Sequence, residues 1–379
     1  MTEHSRRYPF SWPSAVAQPQ EFARLHDEPV VQVTLPSGDT AWLITRYDDI
    51  RTVLTDPRVS KNRNRPDIAR MTEKKVKVFQ SQVDMDPPAH TRMRRLIAKA
   101  FTPSRVDLLR PRIRCIADGL IAEMAAGPQP ADLGQSLAFP LSITVICELL
   151  GVPPADSARF TQVSAPPWDY MRELIARKRE QPADDLISAL IGVHDEDDGQ
   201  LSASELLWWC TVLLLAGYET TANQLCSAVV LLLNRPDQLA LLRADYARMP
   251  QAVEELLRCQ VVGTSLSMLR YVTEEIKVAD VTIPRGASLI TALESANHDP
   301  EAFSCPADLD LARSGPPQLT FSVGRHFCAG ASLARAELQI ALERLLRRFP
   351  DLRLAVPVSD LRRHDDAFTQ GFIEVPVQW

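Results

Sequence analysis

The chain has no hydrophobic run long enough to cross a bilayer. Its longest apolar stretch, Leu206 to Ala216, gives way to Tyr218-Glu219-Thr220-Thr221, well short of the roughly 20 apolar residues a spanning helix needs. The amino terminus, Met1 to Gln20, is polar and contains proline, and lacks the layout of a signal peptide or an anchor. Positive charge is not in excess. The 42 Lys and Arg are outnumbered by 48 Asp and Glu, which argues against wholesale nucleic-acid binding. Paired cysteine spacing is missing too. The seven cysteines point to a reducing compartment, and so to the cytoplasm, rather than to a disulfide framework. No G-x-G-x-x-G follows a strand, so the chain carries no flavin or nicotinamide fingerprint. What remains is an ordinary globular composition, 45% hydrophobic and 24% charged.

Against this background one segment stands out: Thr320-Phe321-Ser322-Val323-Gly324-Arg325-His326-Phe327-Cys328-Ala329-Gly330. It follows Pro316-Pro317 and precedes a helical pattern from Ala331 to Arg348. A cysteine at a helix start feels the positive end of the helix dipole, which favours the thiolate. Gly324 permits unusual backbone angles, Gly330 permits close approach to something flat, and Phe321 and Phe327 give apolar cover. The other cysteines (Cys115, Cys147, Cys210, Cys226, Cys259 and Cys305) read as small core hydrophobes. His326 and Cys328 lie close in sequence, but no second ligand pair has zinc-site spacing.

The order Phe-x-x-Gly-x-His-x-Cys-x-Gly, on Phe321, Gly324, His326, Cys328 and Gly330, resembles the haem-binding loop of the cytochrome P-450 family. Ser322 departs from it, since bacterial members usually have glycine there. Three other segments match in order, and the resemblance runs from Tyr47-Asp48-Asp49 to the tail. It implies a single domain over 1–379, mainly α with small β-sheets, with haem b (iron protoporphyrin IX) between a long central helix and the helix after Cys328. Cys328 is then the iron ligand. A thiolate ligand favours O–O cleavage.

The long helix is expected over Ser202 to Leu233, apolar on almost every side from Leu206 to Leu215 and so a core helix. In Ala216-Gly217-Tyr218-Glu219-Thr220-Thr221, Ala216 and Thr220 lie one turn apart, and the missing side chain of Gly217 leaves room for a small ligand. A carboxylate beside a hydroxyl is costly mid-helix unless used; the bland alternative is a threonine bonded back to a carbonyl. The run resembles the family's oxygen-activation segment, which implies that Glu219 and Thr220 handle the protons for O2 chemistry.

A further helix opens at Asp84-Met85-Asp86-Pro87-Pro88. On it His90 and Arg94 share a face, an arrangement that suits paired carboxylates or, more plainly, a basic surface helix. By resemblance His90, Arg94, Arg270 and His326 hold the haem carboxylates. Glu255 and Arg258, three apart on one helix, would ordinarily be a weak surface pair. The resemblance makes them a buried lock whose third member is an arginine from the loop before the cysteine. Asp308 occupies that position, and Arg313 is the available substitute. Leu213, Val262, Gly263, Thr264, Phe368 and Thr369 are expected at the substrate by the same resemblance, with a substrate-covering loop over Lys61 to Val83.

Elsewhere, strands are expected around Val30–Leu35 and Ala41–Thr45, joined by Pro36-Ser37-Gly38-Asp39. Asp48–Leu54, 105–126, 134–150, Tyr170–Glu180 and Ala183–Val193 read as helices. Val281–Gly286 and Ser288–Thr291 read as a hairpin, and Ile373–Val377 as a strand. The acidic turn from His194 to Gly199 reads as a solvated loop. Between Phe160 and Tyr170 the chain is too short for the two roofing helices of the family, so the roof is truncated or a segment is missing.

The function so implied is a haem-dependent monooxygenase of secondary metabolism that hydroxylates or epoxidises a small, free or carrier-bound molecule. Its electrons would come from NAD(P)H through ferredoxin reductase and ferredoxin. No nucleic acid or membrane is expected as a partner, and a monomer is expected. Arg92, Arg94, Arg95, Lys99, Arg105, Arg110, Arg112 and Arg114, with Arg335, form either a basic docking face for an acidic ferredoxin or a solvated helix face. The rival readings are a haem-thiolate oxidase performing ring coupling or other non-hydroxylating chemistry, a peroxygenase, which could dispense with Glu219 and Thr220, and a non-enzymatic haem-binding sensor or carrier.

Overall fold

The structure is a computed structural model that describes residues 6–14, 16–62, 65, 67–71, 85–98, 101–157, 160, 167–195, 201–262, 269–364 and 370–379. The expectations for most of the Lys61–Val83 loop, for Lys99, for most of the 160–170 roof, for the acidic turn beyond Asp195, and for Gly263, Thr264, Phe368 and Thr369 fall outside these residues.

Helices dominate. They are α1 (Gln20–Arg24), α2 (Tyr47–Thr55), α3 (Ala89–Ala98), α4 (Pro103–Ala126), α5 (Phe139–Leu150), α6 (Pro154–Ser157), α7 (Trp168–Glu180), α8 (Leu186–Asp195), α9 (Ala203–Leu233), α10 (Pro236–Ala244), α11 (Met249–Cys259), α12 (Leu293–Ala296) and α13 (Ala331–Arg348). The strands are β1 (Arg6–Arg7), β2 (Val30–Thr34), β3 (Thr40–Ile44), β4 (Val59–Ser60), β5 (Ala131–Asp132), β6 (Leu269–Val272), β7 (Ile276–Val278), β8 (Val281–Ile283), β9 (Ser288–Thr291), β10 (Arg353–Leu354) and β11 (Pro376–Gln378).

Local chemistry explains where the main helices begin and end. Ser202 and Glu205 close a reciprocal capping box at the start of α9. Thr102 caps α4, whose first residue is Pro103. Gly151, at φ +80°, ends α5 in the left-handed conformation. The turn before α5, Gly134–Ala138, is π-helical rather than the α-helix expected over 134–150.

Helices α4, α5, α9 and α13 pack on one another around a single apolar core, and α9 is buried on nearly all sides from Thr221 to Leu232. A second core lies under the six-stranded sheet, ordered β1-β2-β3-β9-β6-β4. There β2 and β3 pair antiparallel from Val30–Ile44 to Thr34–Thr40, as the turn at Gly38 requires.

The expected hairpin between 281–286 and 288–291 does not form. β8 pairs with β7 in a two-stranded sheet, whereas β9 joins β3 and β6. Pro284-Arg285-Gly286, with Gly286 at φ +88°, redirects the chain between the two sheets. All four residues of β9 are buried, so it serves as an interior strand. The tail strand spans 376–378, later than expected, because its partners are β10 and β5. Phe160 and Tyr170, the described ends of the short roof segment, meet edge to face with ring centroids 4.9 Å apart.

Candidate active site

The cysteine loop is held by its own backbone. Ser322 N–H donates to the Leu319 carbonyl at 2.7 Å, Cys328 N–H to Phe321 at 3.0 Å, and Phe327 N–H to Gly324 at 3.1 Å. Asn297 pins the incoming segment through the Leu319 N–H at 2.7 Å and the Thr320 hydroxyl at 2.9 Å. Gly324 sits at φ +73°, and a Cβ there would stand 2.9 Å from the Leu54 carbonyl oxygen of α2. Only glycine fits that position. At Gly330, just before α13, an added Cβ would meet no protein atom within 4 Å. The surface in front of this residue is therefore open.

Cys328 is exposed, although the protein around it is dense enough that burial pushes its thiol above the ordinary value. The Gly330 N–H, Arg94 and other nearby cations pull the opposite way and do not prevail. The position at the start of α13 is therefore not enough to make a thiolate, and a bound metal cation would be needed to complete the deprotonation.

Next to the sulfur lies a group of cationic and imidazole side chains. On α3, His90 is buried, and Arg94 donates through Nη2 to the Phe327 carbonyl. The His90 and His326 rings are 4.2 Å apart. Arg270, on β6, is buried, donates to the Leu269 carbonyl at 2.9 Å and acts electrostatically on His326. Burial, followed by Lys61, His90, Arg270 and Arg325, pushes the His326 imidazole down to about 2. Its Nε2 is buried and has no hydrogen-bond partner among the described residues. An unpartnered imidazole nitrogen amid positive charges leaves hydrogen-bonding capacity, and the surrounding cations favour an anionic group beside it. These residues fit a flat group that carries carboxylates at one edge and a metal near Cys328. The tie between Arg92 of α3 and Glu205 at the start of α9 fixes this cationic helix to the long one.

On α9, Ala216 is exposed between buried Leu214 and Tyr218. The Thr220 hydroxyl bonds back to the Ala216 carbonyl at 3.1 Å, and Glu219 beside it is half-buried. Gly217 corrects the expectation that its missing side chain leaves room for a ligand. A Cβ there would lie 2.6 Å from Ile146 Cγ1, so the space is filled by α5 packing on α9. Leu213 and Val262 are buried, and the Val262 carbonyl accepts the Gln370 N–H at 3.1 Å.

The Glu255–Arg258 pair is deeply buried. Arg258 Nε and Nη2 reach the carboxylate at 2.7 and 2.8 Å, and its Nη1 reaches the Asn297 and Pro306 carbonyls. Arg313 is the third member, with Nε at 3.0 and 3.1 Å from the two Glu255 oxygens. Asp308 contributes only its backbone carbonyl, to Arg258 and Arg313 alike, while its side chain is exposed.

Three features escaped the sequence reading. Arg335 lies over the Phe321 ring at 4.6 Å and pairs with Glu254 of α11, linking the cysteine loop to that helix. Its spacing from Phe321 was visible in the sequence, but its partner was not. Ser322, a departure from glycine in the sequence, sits at φ +61° with a buried hydroxyl that has no partner among the described residues. Glu337 of α13 is fully buried, and no sequence pattern marks it.

A family model described as Cytochrome P450 matches residues 143–354. The nocardicin C N-oxygenase of Nocardia uniformis subsp. tsuyamanensis is 40% identical over 396 residues, covering 99% of each chain. The mycinamicin IV hydroxylase/epoxidase of Micromonospora griseorubida is 41% identical over 401 residues, covering 99% of this chain and 98% of its own. The crystal structure of SgvP, a putative thioether synthase of griseoviridin tailoring, superposes with a TM-score of 0.92 at 41% identity, covering 99% and 100% of the two chains.

Proposed function

The chain belongs to the cytochrome P450 family and is a haem-dependent monooxygenase; on that premise we propose that Cys328 supplies the sulfur ligand and that the residues around it divide the remaining work. Haem b, when bound, supplies O2 activation and oxygen insertion. His326, His90, Arg94 and Arg270 would hold its carboxylates, and the open space at Gly330, with Phe321 as apolar cover, would admit it beside Cys328. The observation that carries this reading is the buried, unpartnered Nε2 of His326 within 4.2 Å ring contact of His90, beside the Arg94 that reaches the Phe327 carbonyl.

On α9, exposed Ala216 would border the bound group. Glu219 accepts a proton from solvent and passes it inward, and the Thr220 hydroxyl donates it onward, exchanging its bond to the Ala216 carbonyl for one to water or substrate oxygen. Glu255, Arg258 and Arg313 keep the approach to the cysteine loop rigid.

The substrate is a small organic molecule of secondary metabolism. The named relatives include an N-oxygenase and a hydroxylase/epoxidase, so hydroxylation and epoxidation are both within the reading. Leu213 and Val262, with Gly263, Thr264, Phe368 and Thr369, are the side chains we assign to substrate contact. Electrons come from a ferredoxin, reduced by its reductase and ultimately by NAD(P)H. No single helix among the described residues is long and apolar enough to cross a membrane.

The test is spectroscopic. The reduced protein with carbon monoxide is expected to show the absorption band of sulfur-ligated haem, and Cys328→Ala to lose it. Turnover under labelled O2 should then place labelled oxygen in the product. Haem bound without the sulfur signature in the wild type would refute the assignment of Cys328.

A further inference from the structure

The amino-terminal segment is tied down on both sides of Trp12. Before it, β1 pairs with β2, the Tyr8 hydroxyl donates to Glu294 Oε1 at 3.1 Å, and Phe10 meets Phe22 edge to face at 5.2 Å. After it, Ser14 Oγ accepts the Ala17 N–H at 3.1 Å, and Val16 packs on the helical core. Trp12 is half-buried between these anchors, with its ring centroid 4.7 Å from the Arg363 guanidinium.

Arg363 lies in one of two antiparallel stretches near the tail. They are joined by an Arg363–Phe372 bridge, by the Ile373 N–H to the Arg362 carbonyl at 2.9 Å, and by the His364 N–H to the Gly371 carbonyl at 3.0 Å. The guanidinium also lies 5.3 Å from the Phe372 ring and donates through Nη2 to the Gln370 carbonyl at 2.8 Å. A planar guanidinium does both at once, offering its faces to rings and its edge to an acceptor. Burial pushes it down to about 10, so it stays cationic at neutral pH and the stack with Trp12 persists. The other backbone group of Gln370, its N–H, reaches the Val262 carbonyl at 3.1 Å. Gln370 is therefore gripped at both backbone groups, by Arg363 and by Val262. Beside it, Gly371 has no room for a side chain, because a Cβ there would collide with the Asn223 side-chain oxygen. Asn223 lies on α9, about one turn beyond Thr220. Direct contacts thus lead from Trp12 through Arg363 and Gln370 to Val262, and Gly371 seats the same stretch on α9.

We propose that Trp12 and Arg363 are positioning residues for substrate: the amino-terminal segment sets, through Gln370, where the wall containing Val262 stands. The inference rests on the haem-thiolate reading and on the assignment of Val262 to substrate contact, and it deepens that assignment. Both residues act through Gln370 rather than by touching the ligand. Their effect falls on how well the part of a ligand beyond the iron fits, not on the iron or its sulfur ligand.

The test uses the haem-loaded protein and two iron-binding azoles, followed by the Soret shift. Imidazole reaches little beyond the iron, whereas 4-phenylimidazole carries a ring into the space next to it. Trp12→Ala is expected to weaken 4-phenylimidazole about fivefold and to leave imidazole unchanged. Trp12→Phe, which keeps a ring over Arg363, should stay near the wild type. Arg363→Lys keeps the charge but loses the planar stack and should follow Trp12→Ala; it serves as the second route should the alanine variant fail to fold. Unchanged affinity for 4-phenylimidazole in every variant that folds would overturn the proposal. An equal loss for both azoles would overturn it too, since the effect would then fall on the haem seat. Val262→Ala reports on the assignment beneath: no change in 4-phenylimidazole affinity there would overturn that assignment, and the proposal with it. A wild type without the carbon monoxide band of sulfur-ligated haem would instead overturn the haem-thiolate reading.

Discussion

Arg313 places its Nε 3.0 Å from Glu255 Oε1 and 3.1 Å from Oε2, so it fills the role that the resemblance gives to an arginine at position 308. Both partners are almost fully buried, and Arg313 also donates to the Ser304, Cys305 and Asp308 carbonyls. Removing one partner of a buried ion pair leaves the other uncompensated, at about 3–5 kcal/mol. Arg313→Ala is therefore expected to lower the unfolding free energy by about that much and to reduce haem incorporation. Asp308→Ala, which leaves the backbone carbonyl in place, should change stability by less than about 0.5 kcal/mol. Urea unfolding of the two variants side by side checks the contrast. Equal losses would mean that the Asp308 side chain contributes to the lock as much as Arg313 does.

Gly217 and Ile146 yield a second prediction. Because a Cβ at 217 would stand 2.6 Å from Ile146 Cγ1 and 2.7 Å from Cδ1, Gly217→Ala should destabilise the fold by about 1–3 kcal/mol through overpacking. The double variant Gly217→Ala with Ile146→Ala should recover part of this loss relative to the sum of the single changes. Thermal unfolding in a double-mutant cycle measures the coupling. Strict additivity would show that α5 and α9 do not meet at this point.

Much of the site was legible because its signals are local. The loop from Phe321 to Gly330 and the run from Ala216 to Thr221 each lie in one short segment, so spacing alone brings their residues together. Helix limits were legible for the same reason, from caps such as Ser202 and stops such as Gly151. What escaped depends on elements far apart in the chain. The choice of β7 rather than β9 as partner for β8 is set by which sheet can bury β9. The reason for glycine at 217 lies on α5. Glu337 is an ordinary helix residue in sequence and becomes unusual only when α13 is enclosed.

The proposed docking face is less charged than its sequence suggests. Arg92 is paired with Glu205, Arg110 with Asp107, Arg112 with Glu148 and Arg335 with Glu254. Arg105 is exposed on α4, beside the highly exposed Leu108, and makes no ion pair among the described residues. Arg105→Glu is therefore expected to slow reduction by an acidic ferredoxin several-fold at low salt and to flatten its salt dependence, an effect of order 1 kcal/mol. Arg112→Glu should act mainly through repulsion of Glu148, lowering stability more than reduction rate. Stopped-flow reduction at increasing ionic strength distinguishes them. Unchanged rate and salt dependence in Arg105→Glu would remove α4 from the docking surface.

Glu337 carries the clearest pH dependence. It lies on α13 with its Oε2 buried and without a partner among the described residues. Burial pushes its carboxyl up to about 8, against a weaker opposing pull from the Ser142 hydroxyl of α5. That hydroxyl faces the acid without closing a hydrogen bond, since Ser142 Oγ is unpartnered as well. The folded chain therefore holds this proton more tightly than the unfolded chain, whose carboxyl titrates near 4.5. The sign follows from linkage: the contribution is fully present below the unfolded value, declines as pH rises, and is lost above the folded value of about 8. Glu337→Gln presents a neutral side chain of the same shape at every pH and lacks this slope. Urea unfolding of both proteins at about pH 5, 7 and 9 should show the wild type losing stability relative to the variant across that range. A constant difference would mean that water or an unassigned partner keeps the carboxyl ionised in the folded chain. In that case α13 meets α5 across a solvated seam rather than a dry one.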